Sequence, residues 1–442
     1  MALSGLDIYK LLPKTNCKEC GFPTCLAFAM QLAKKAVSIE KCPYVSPETK
    51  AALEAASQPP IRLVRIGAGE NKSELGNETV MFRHEEKFRN PCAVGFIIED
   101  SETDAAIKEK IKKINAFSFE RVGQNLDVNL VAVRQTKDAR RFAEAVRLMA
   151  QETKLTPVLI SRDTAALAAA LVPVKDRKPV IWGADAGNAQ ETARLAKQYD
   201  AAVVASASDL EGVSALTQEL QKTGVSDILL DTGTKQVSEK LWDLTQIRRL
   251  ALKKSVRSVG FPSAVIVDNK DSFVQLLGAA TYILKYASVV LLEDCDAPGV
   301  LALLTLRQNI YSDPQKPLQI EPKVYPIGSV TKQSPVLVTT NFSLSYYTVL
   351  GEVESSKVPS YIVSVDTEGM SVLTAWAAEK FTPEKISESL NKFAVSDLVA
   401  QKRLIIPGYV AVMSGDLEEQ SGWKIVVGPK EAAGIPSFLK NL

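Results

Sequence analysis

Between residues 93 and 292 the chain repeats one rhythm: a short unbroken apolar run, then a longer stretch whose apolar positions recur every three or four residues. The apolar runs are Ala93–Ile98, Asn129–Val133, Pro157–Ile160, Pro179–Trp182, Ala201–Ala205, Asp227–Leu230, Ala264–Val267 and Ser288–Leu292. Runs that are continuous rather than alternating are what parallel strands buried on both faces require. The stretches between them, such as Asp138–Thr153, Asn188–Tyr199, Ser208–Lys222 and Asp271–Tyr286, read as helices. This succession predicts an α/β fold with a TIM-like (β/α)8 barrel over 93–312. A doubly wound open sheet is the alternative, because the count of units does not by itself demand closure.

The rhythm breaks at Ser312-Asp313-Pro314-Gln315-Lys316-Pro317, with Pro322 and Pro326 following, so 313–325 reads as a linker. Over 326–442 it resumes on a smaller scale. Strands are expected at Val336–Thr340, Tyr361–Val365, Leu404–Ile406 and Ile425–Val427, which predicts a Rossmann-like domain. Three of its strands end in small or polar loops, Thr339–Ser343, Asp366–Thr374 and Gly428–Gly434. The N–H groups that open the following helices can hold polar parts of a ligand, and Gly369 and Gly434 would admit a large ligand close to the backbone. Ordinary βα turns are the competing reading. Ahead of the barrel, 59–92 reads as a connecting β segment with strands at Ile61–Ile66 and Thr79–Phe82. A short helix from Ser46-Pro47-Glu48 to about Ala56, ended by Gln58-Pro59-Pro60, closes a separate N-terminal module, 1–58.

That module carries the most specific chemistry. Cys17, Cys20, Cys25 and Cys42 are spaced C-x2-C-x4-C-x16-C, with Pro43 after the last. Four thiolates within so short a stretch suit an iron–sulfur cube. Gly21 and Pro23 permit the tight wrap, and Thr24 is a candidate N-cap for an apolar helix over Leu26–Val37. Cys25 then falls in a first helical turn, where the helix dipole favours thiolate. A zinc site would need a second C-x2-4-C knuckle, and disulfides would need an oxidising compartment; both stay as alternatives.

Composition narrows the rest. With 46% apolar and 24% charged residues and a net charge of +2, the chain reads as globular, without a basic block for nucleic acid. It has no apolar stretch of eighteen residues, and Met1–Asp7 lacks the features of a signal peptide, so the expectation is a cytoplasmic protein with no membrane span. Its one histidine, His84, lies in the charged run Phe82–Lys87 and excludes mechanisms that need two imidazoles. At the predicted barrel mouth the strand ends offer Glu99, Asp100, Arg134, Gln135, Arg162, Asp163, Asp185, Asp231, Asp268, Asn269, Glu293 and Asp294. A ring of carboxylates there could be an active site, and helix capping is the plainer explanation. Cys92 and Cys295 read as buried thiols rather than ligands.

Taken together, the cysteine module opening Leu-Pro-Lys-Thr-Asn-Cys-Lys-Glu-Cys-Gly, the eightfold middle and the terminal Asp-Thr-Glu-Gly-Met-Ser-Val-Leu-Thr resemble the large (gamma) subunit of corrinoid iron–sulfur proteins of the acetyl-CoA decarbonylase/synthase system. The resemblance implies a [4Fe–4S] cluster on Cys17, Cys20, Cys25 and Cys42. It also implies a base-off cobamide in the last domain, contacted by Thr340, Tyr346, Met370, Ser371, Val372, Leu373 and Gly434, with Thr374 near the cobalt. No protein side chain is implied as a catalytic group, since the cobalt is the methyl acceptor. The implied role is a methyl carrier. The methyl comes from methyltetrahydrofolate or methyltetrahydropterin through a methyltransferase and goes to acetyl-CoA synthase, and the cluster returns Co(II) to Co(I). The implied partners are a small corrinoid protein subunit, that methyltransferase and the synthase. A self-contained iron–sulfur barrel enzyme, passing electrons to a substrate at the barrel mouth, is the alternative reading.

Overall fold

The computed structural model describes residues 5–33, 37–46, 49–50, 59–121, 123–269, 271–294 and 296–442. The helix expected over 46–56 and Cys295 lie outside the described residues. Two compact units emerge. One comprises Met1–Ser118 with Asp127–Tyr311, the other Phe119–Leu126 with Ser312–Leu442.

In the first unit, β1 (Leu63–Ile66) and β2 (Ser73–Gly76) form an antiparallel hairpin. The eight apolar runs become β3 (Ala93–Glu99), β6 (Leu130–Arg134), β7 (Thr156–Ile160), β8 (Val180–Ala184), β9 (Ala202–Ser206), β10 (Ile228–Asp231), β11 (Ser263–Val267) and β12 (Ala287–Leu292). They are parallel and close in the order β10-β11-β12-β3-β6-β7-β8-β9, so the barrel holds and the open sheet does not. Alternate residues fill the interior, among them Ile97, Leu130, Val158, Trp182, Val204, Leu229, Ala264 and Leu291. Val64, Ile66 and Leu75 of the hairpin join the same core, and Thr156 Oγ1 donates to the Asn71 carbonyl at 2.9 Å. The hairpin therefore seals the end of the barrel where the strands begin. The strand expected at Thr79–Phe82 is absent, because the pairing partner of β1 is the more polar Ser73–Gly76, which buries only Leu75 and Gly76.

Residues 78–90 are held instead by a buried ion pair. Arg248 lies 3.0 Å from Glu78 and is sandwiched between the rings of Phe88 and Tyr286, at 4.7 and 4.6 Å. Cys92 is fully buried, and desolvation pushes its thiol up to about 12.

In the second unit, β4 (Ser118–Arg121) and β5 (Gln124–Asp127), which the apolar pattern does not reveal, form a two-stranded sheet at the junction of the units' sequences. The main sheet contains β13 (Val324–Ile327), β14 (Val336–Thr340), β15 (Ser360–Val365), β16 (Arg403–Ile406) and β17 (Lys424–Val427), in the order β13-β15-β14-β16-β17. All but β13 are parallel. The reading of 313–325 as linker fails for its second half: the Ile320 N–H donates to the Asn341 carbonyl at 2.8 Å, and β13 pairs along β15. Both faces of the sheet are covered. Val336, Val338, Val363, Leu404 and Ile406 face one core, while Leu337, Ile362 and Ile405 face the other.

Candidate functional site

The cysteine module folds around its thiols. Helix Cys25–Ala33 begins at Cys25, and Thr24 caps it as expected, its hydroxyl accepting from the Ala27 N–H at 3.1 Å. The helix is described as far as Ala33; residues 34–36, over which the apolar run extends it toward Val37, lie outside the described residues. Phe28, Ala29, Ile8, Leu12 and Ile39 form a small core that includes Cys25 and packs Cys20 and Cys42 at its edge. The turn between Cys17 and Cys25 is closed by the Gly21 N–H donating to the Lys18 carbonyl at 2.9 Å, with Gly21 at φ +84°. Cys42 ends a 3-10 turn, Ile39–Lys41. Tyr44 donates to Glu19 at 2.7 Å and so links the Cys42 segment to the Cys17–Cys20 loop. Glu19 raises the Tyr44 phenol, first through this hydrogen bond and then through its charge.

Cys17, Cys20, Cys25 and Cys42 are all free of disulfides. Among the described residues, no three His, Cys, Asp or Glu side chains converge as a single metal ion would need. The module fits a cluster, whose thiolates bind separate irons: a buried thiol at a helix start, a backbone N–H aimed at its sulfur, and an apolar shell.

The second candidate lies at the carboxyl edge of the β13–β17 sheet. The chain leaves β14 toward β15 on one side and returns to β16 on the other. The crevice at the ends of β14 and β16 is thus the crossover point at which open parallel sheets take ligands. A cleft of about 300 Å³ occupies it, lined by Leu337, Thr339, Phe342, Ser345, Val349, Ser371, Val372, Ile405, Pro407, Tyr409, Pro429, Lys430 and Ile435 among others. Its two far loops are tied together by the Gly408 N–H donating to the Pro429 carbonyl at 3.1 Å and by a hydrogen bond from Tyr409 to Glu431.

Three buried hydroxyls here have no partner: Thr339 and Thr340 at the end of β14, and Ser364 on β15. Leaving a buried hydroxyl unsatisfied costs about 1–3 kcal/mol, so each marks a place where a partner is missing. Thr339 faces the cleft.

The expected cobamide contacts are distributed unevenly. Ser371 and Val372 line the cleft. Leu373 and Thr374 are exposed on the following short helix, Val372–Ala377, with Thr374 Oγ1 at 3.0 Å from Ser371 Oγ. Met370 packs against the core on the opposite face. Tyr346 is buried under the helix Ser343–Ser356, its ring 4.7 Å from that of Tyr325, and burial pushes its phenol up. The space a side chain would take at Gly434 is filled by Pro429, 2.8 Å from where a Cβ would stand, and that at Gly369 by Gln319 at the same distance. These glycines therefore serve contacts within the chain.

Asn341 organises the loop that carries Ser371 and Val372. Its Oδ1 accepts from the Thr367 N–H at 2.9 Å, the Thr367 hydroxyl at 3.0 Å and the Gly369 N–H at 3.0 Å. Its Nδ2 donates to Asp366 at 3.1 Å and Gln319 at 3.3 Å. In sequence Asn341 is one more polar residue in a βα turn, and nothing local announces partners some 25 residues away.

The barrel mouth, by contrast, is saturated. It encloses about 1000 Å³ lined by Arg134, Arg162, Trp182, Asp185, Asp231 and Lys235 among others. Asp231 accepts from Lys240 at 2.8 Å, the Gly233 N–H at 2.9 Å and Trp182 Nε1 at 3.1 Å. Asp163 caps the helix Thr164–Leu171, and Asp100 binds the N–H groups of Thr136 and Lys137. The capping explanation thus holds for Asp163, whereas Asp100 binds loop N–H groups and Asp231 is held in an ion pair. His84 is exposed and stacked on Phe82.

Residues 63–439 match the family model described as CO dehydrogenase/acetyl-CoA synthase delta subunit, and residues 12–44 match one described as "Putative Fe-S cluster". Over its whole length the chain is 44% identical to the corrinoid/iron–sulfur protein large subunit of Moorella thermoacetica, covering 99% of that protein. The chain belongs to the corrinoid/iron–sulfur large-subunit family. Archaeal members are similar along their full length too. The acetyl-CoA decarbonylase/synthase complex subunit gamma of Methanothermobacter thermautotrophicus is 33% identical over all of this chain and 99% of its own. That of Methanopyrus kandleri is 34% identical over 99% of this chain and 98% of its own. The match to the delta-subunit model begins beyond the cysteines, whereas the matches to these large and gamma subunits span them. Among the described residues of this family member, no helix is long and apolar enough to cross a membrane.

Proposed function

We propose that this chain is the methyl-carrying large subunit of a corrinoid iron–sulfur protein, holding a [4Fe–4S] cluster on Cys17, Cys20, Cys25 and Cys42 and a cobamide at the carboxyl edge of the β13–β17 sheet. The observation that carries the reading is the unpartnered buried hydroxyl of Thr339, which lines an apolar cleft at the sheet's crossover point. A cobamide, when bound, supplies a cobalt that takes a methyl group from methyltetrahydrofolate or methyltetrahydropterin with a methyltransferase and yields it to acetyl-CoA synthase. The cluster supplies single low-potential electrons that keep the cobalt able to accept the next methyl.

The chain's own residues bind and shield. The apolar lining, from Leu337 to Ile435, takes the hydrophobic parts of the ligand, and Thr339, with Ser345 and Ser371, offers hydrogen bonds to its amides. Thr340, Tyr346 and Met370 support the lining from behind; Val372 forms part of it. Asn341 braces Thr367 and Gly369 in the loop that leads to Ser371 and Val372, and Leu373 and Thr374 follow exposed on the next helix. No histidine occurs in 312–442, so the last unit would offer no imidazole to the cobalt, and the base-off state that the family resemblance implies would leave the cobalt without a nitrogen donor. Nitrogen superhyperfine splitting in the EPR spectrum of the Co(II) state would contradict that.

The small corrinoid subunit is the expected partner in the resting heterodimer. It is supported by the barrel helix Ser272–Leu284, which carries no charged residue and exposes Phe273 and Leu277 by 64% and 53%. A helix apolar on both sides is ordinarily buried on both. Co-expression with that subunit under anaerobic conditions tests the reading. Purified complex should contain both cobalt and iron and show corrin absorption beside the iron–sulfur shoulder. A cobalt content near zero would overturn it.

A further inference from the structure

The Asn16 side chain and backbone hold Cys25 from two directions. Asn16 Oδ1 accepts from the Cys25 N–H at 2.8 Å, and the Asn16 N–H donates to Cys25 Sγ at 3.4 Å. This geometry needs Asn16 in the left-handed region, at φ +47°, with Lys14 and Lys18 also left-handed at +61° and +65°. Asparagine tolerates that region better than most residues. Chains in which left-handed residues alternate along the backbone turn successive N–H groups toward one concavity, a feature of anion and iron–sulfur sites. Cys25 is the buried thiol of the four, so water competes least for its sulfur.

We propose that Asn16 is a positioning residue for the cluster: by pinning the Cys25 N–H it aims its own N–H at the Cys25 sulfur and thereby sets the cluster's reduction potential. The inference rests on the reading of the four cysteines as cluster ligands. A hydrogen bond to a thiolate sulfur stabilises the more negative, reduced cluster, so losing it moves the potential down.

Two variants of the full chain separate the side chain's role from backbone strain. Asn16→Gly keeps the left-handed backbone free of cost and removes only the acceptor. Asn16→Asp keeps the acceptor. With iron content equal to the unmodified chain, Asn16→Gly should show a more negative midpoint in a redox titration, and an altered EPR signal of the reduced cluster. Asn16→Asp should retain the original EPR line shape. If Asn16→Gly loses iron while Asn16→Asp keeps it, the positioning role is likewise supported. An unchanged midpoint and EPR signal in fully loaded Asn16→Gly would overturn the proposal, as would loss of iron from both variants. An unmodified chain that holds no iron would overturn the reading of the cysteines themselves, a result distinct from either.

Discussion

At the end of β10, Asp231 is enclosed by Lys240, Trp182 and a backbone N–H, and every donor of Lys240 has an acceptor in Asp231, Thr232 or Gly233. At the end of β14, Thr339 and Thr340 are as deeply buried and have no partner at all. Both are the carboxyl ends of parallel strands, where such folds place their ligands. The difference indicates which end is finished without a ligand and which is not. A closed network of charges at the barrel mouth holds the barrel's own loops. The apolar cleft leaves the Thr339 hydroxyl free for the partner that the proposed ligand would supply.

Lys240 holds the barrel-mouth network together. Lys240→Met should destabilise the barrel by about 3–5 kcal/mol, since Asp231 would be left charged and uncompensated in a buried site. Chemical denaturation measures it, and Lys240→Met combined with Asp231→Leu should recover most of the loss. Cobalt content of the surviving folded protein should be unchanged. A loss of cobalt binding with stability intact would mean that the barrel mouth takes part in holding the cofactor.

Asn341→Ala should cost somewhat less, about 2–3 kcal/mol, by leaving the Thr367 and Gly369 N–H groups without their acceptor. Unlike the Lys240 change, it should also weaken corrin retention, because Ser371 and Val372 lose their support. Dialysis of the loaded complex against apo-chain checks the second effect.

Thr339→Val gives the sharper contrast at smaller cost. In the cofactor-free chain it should be neutral or stabilising by about 1 kcal/mol, as an unsatisfied hydroxyl is replaced by a methyl group of similar shape. In the loaded complex the same change should weaken cobamide binding by about tenfold, the equivalent of one lost hydrogen bond. Thermal melts with and without cofactor should therefore move in opposite directions. A substitution that destabilises both states alike would show that Thr339 is merely a packing residue.

Much of this architecture is readable in the chain because its strands are buried on both faces. Unbroken runs such as Val289-Val290-Leu291-Leu292 have no other economical explanation, and all eight lie where the pattern puts them. Where burial is one-sided or absent, the pattern is silent. Ser118–Arg121 and Gln124–Asp127 bury little besides Leu126, so the β4–β5 hairpin carries no apolar signature. Val80-Met81-Phe82 looked like a strand because of its apolar residues. Its backbone instead serves Arg248 and Tyr286, which bind the carbonyls of Val80 and Met81. At the site, the cysteines announce themselves through spacing, whereas Asn16 and Asn341 act through partners brought near by folding. The loop Asp366–Thr374 stands out by its small and polar residues, but Ser371 and Val372 as contacts follow only from the family resemblance. The lining contributed by Phe342, Pro407 and Pro429 depends on which strands neighbour one another, and that order is not written in any single segment.

At neutral pH the smallest effect concerns Cys92, the inert end of the thiol range. Its folded pKa of about 12 lies above the ordinary value of 9.0, so the neutral thiol is favoured by burial. The folded state then binds more protons than the unfolded one between those values, and stability falls as pH rises from about 9 toward 12, by at most about 1.4 kcal/mol per pH unit. Cys92→Ala should remove that part of the slope in alkaline unfolding curves while leaving the iron content unchanged. Retention of the full slope would assign it to other groups.

The cleft at the β14–β16 crossover, and not the barrel mouth, is the proposed seat of the cobamide. Ser345 lines that cleft from the helix Ser343–Ser356, and Ser345→Trp would fill much of its volume of about 300 Å³. Cobalt and iron should be measured together on this variant, co-expressed anaerobically with the small subunit. The expected result is cobalt reduced more than tenfold beside the unmodified complex, with iron retained at about four atoms per chain. Full cobalt with the cleft blocked would contradict the account.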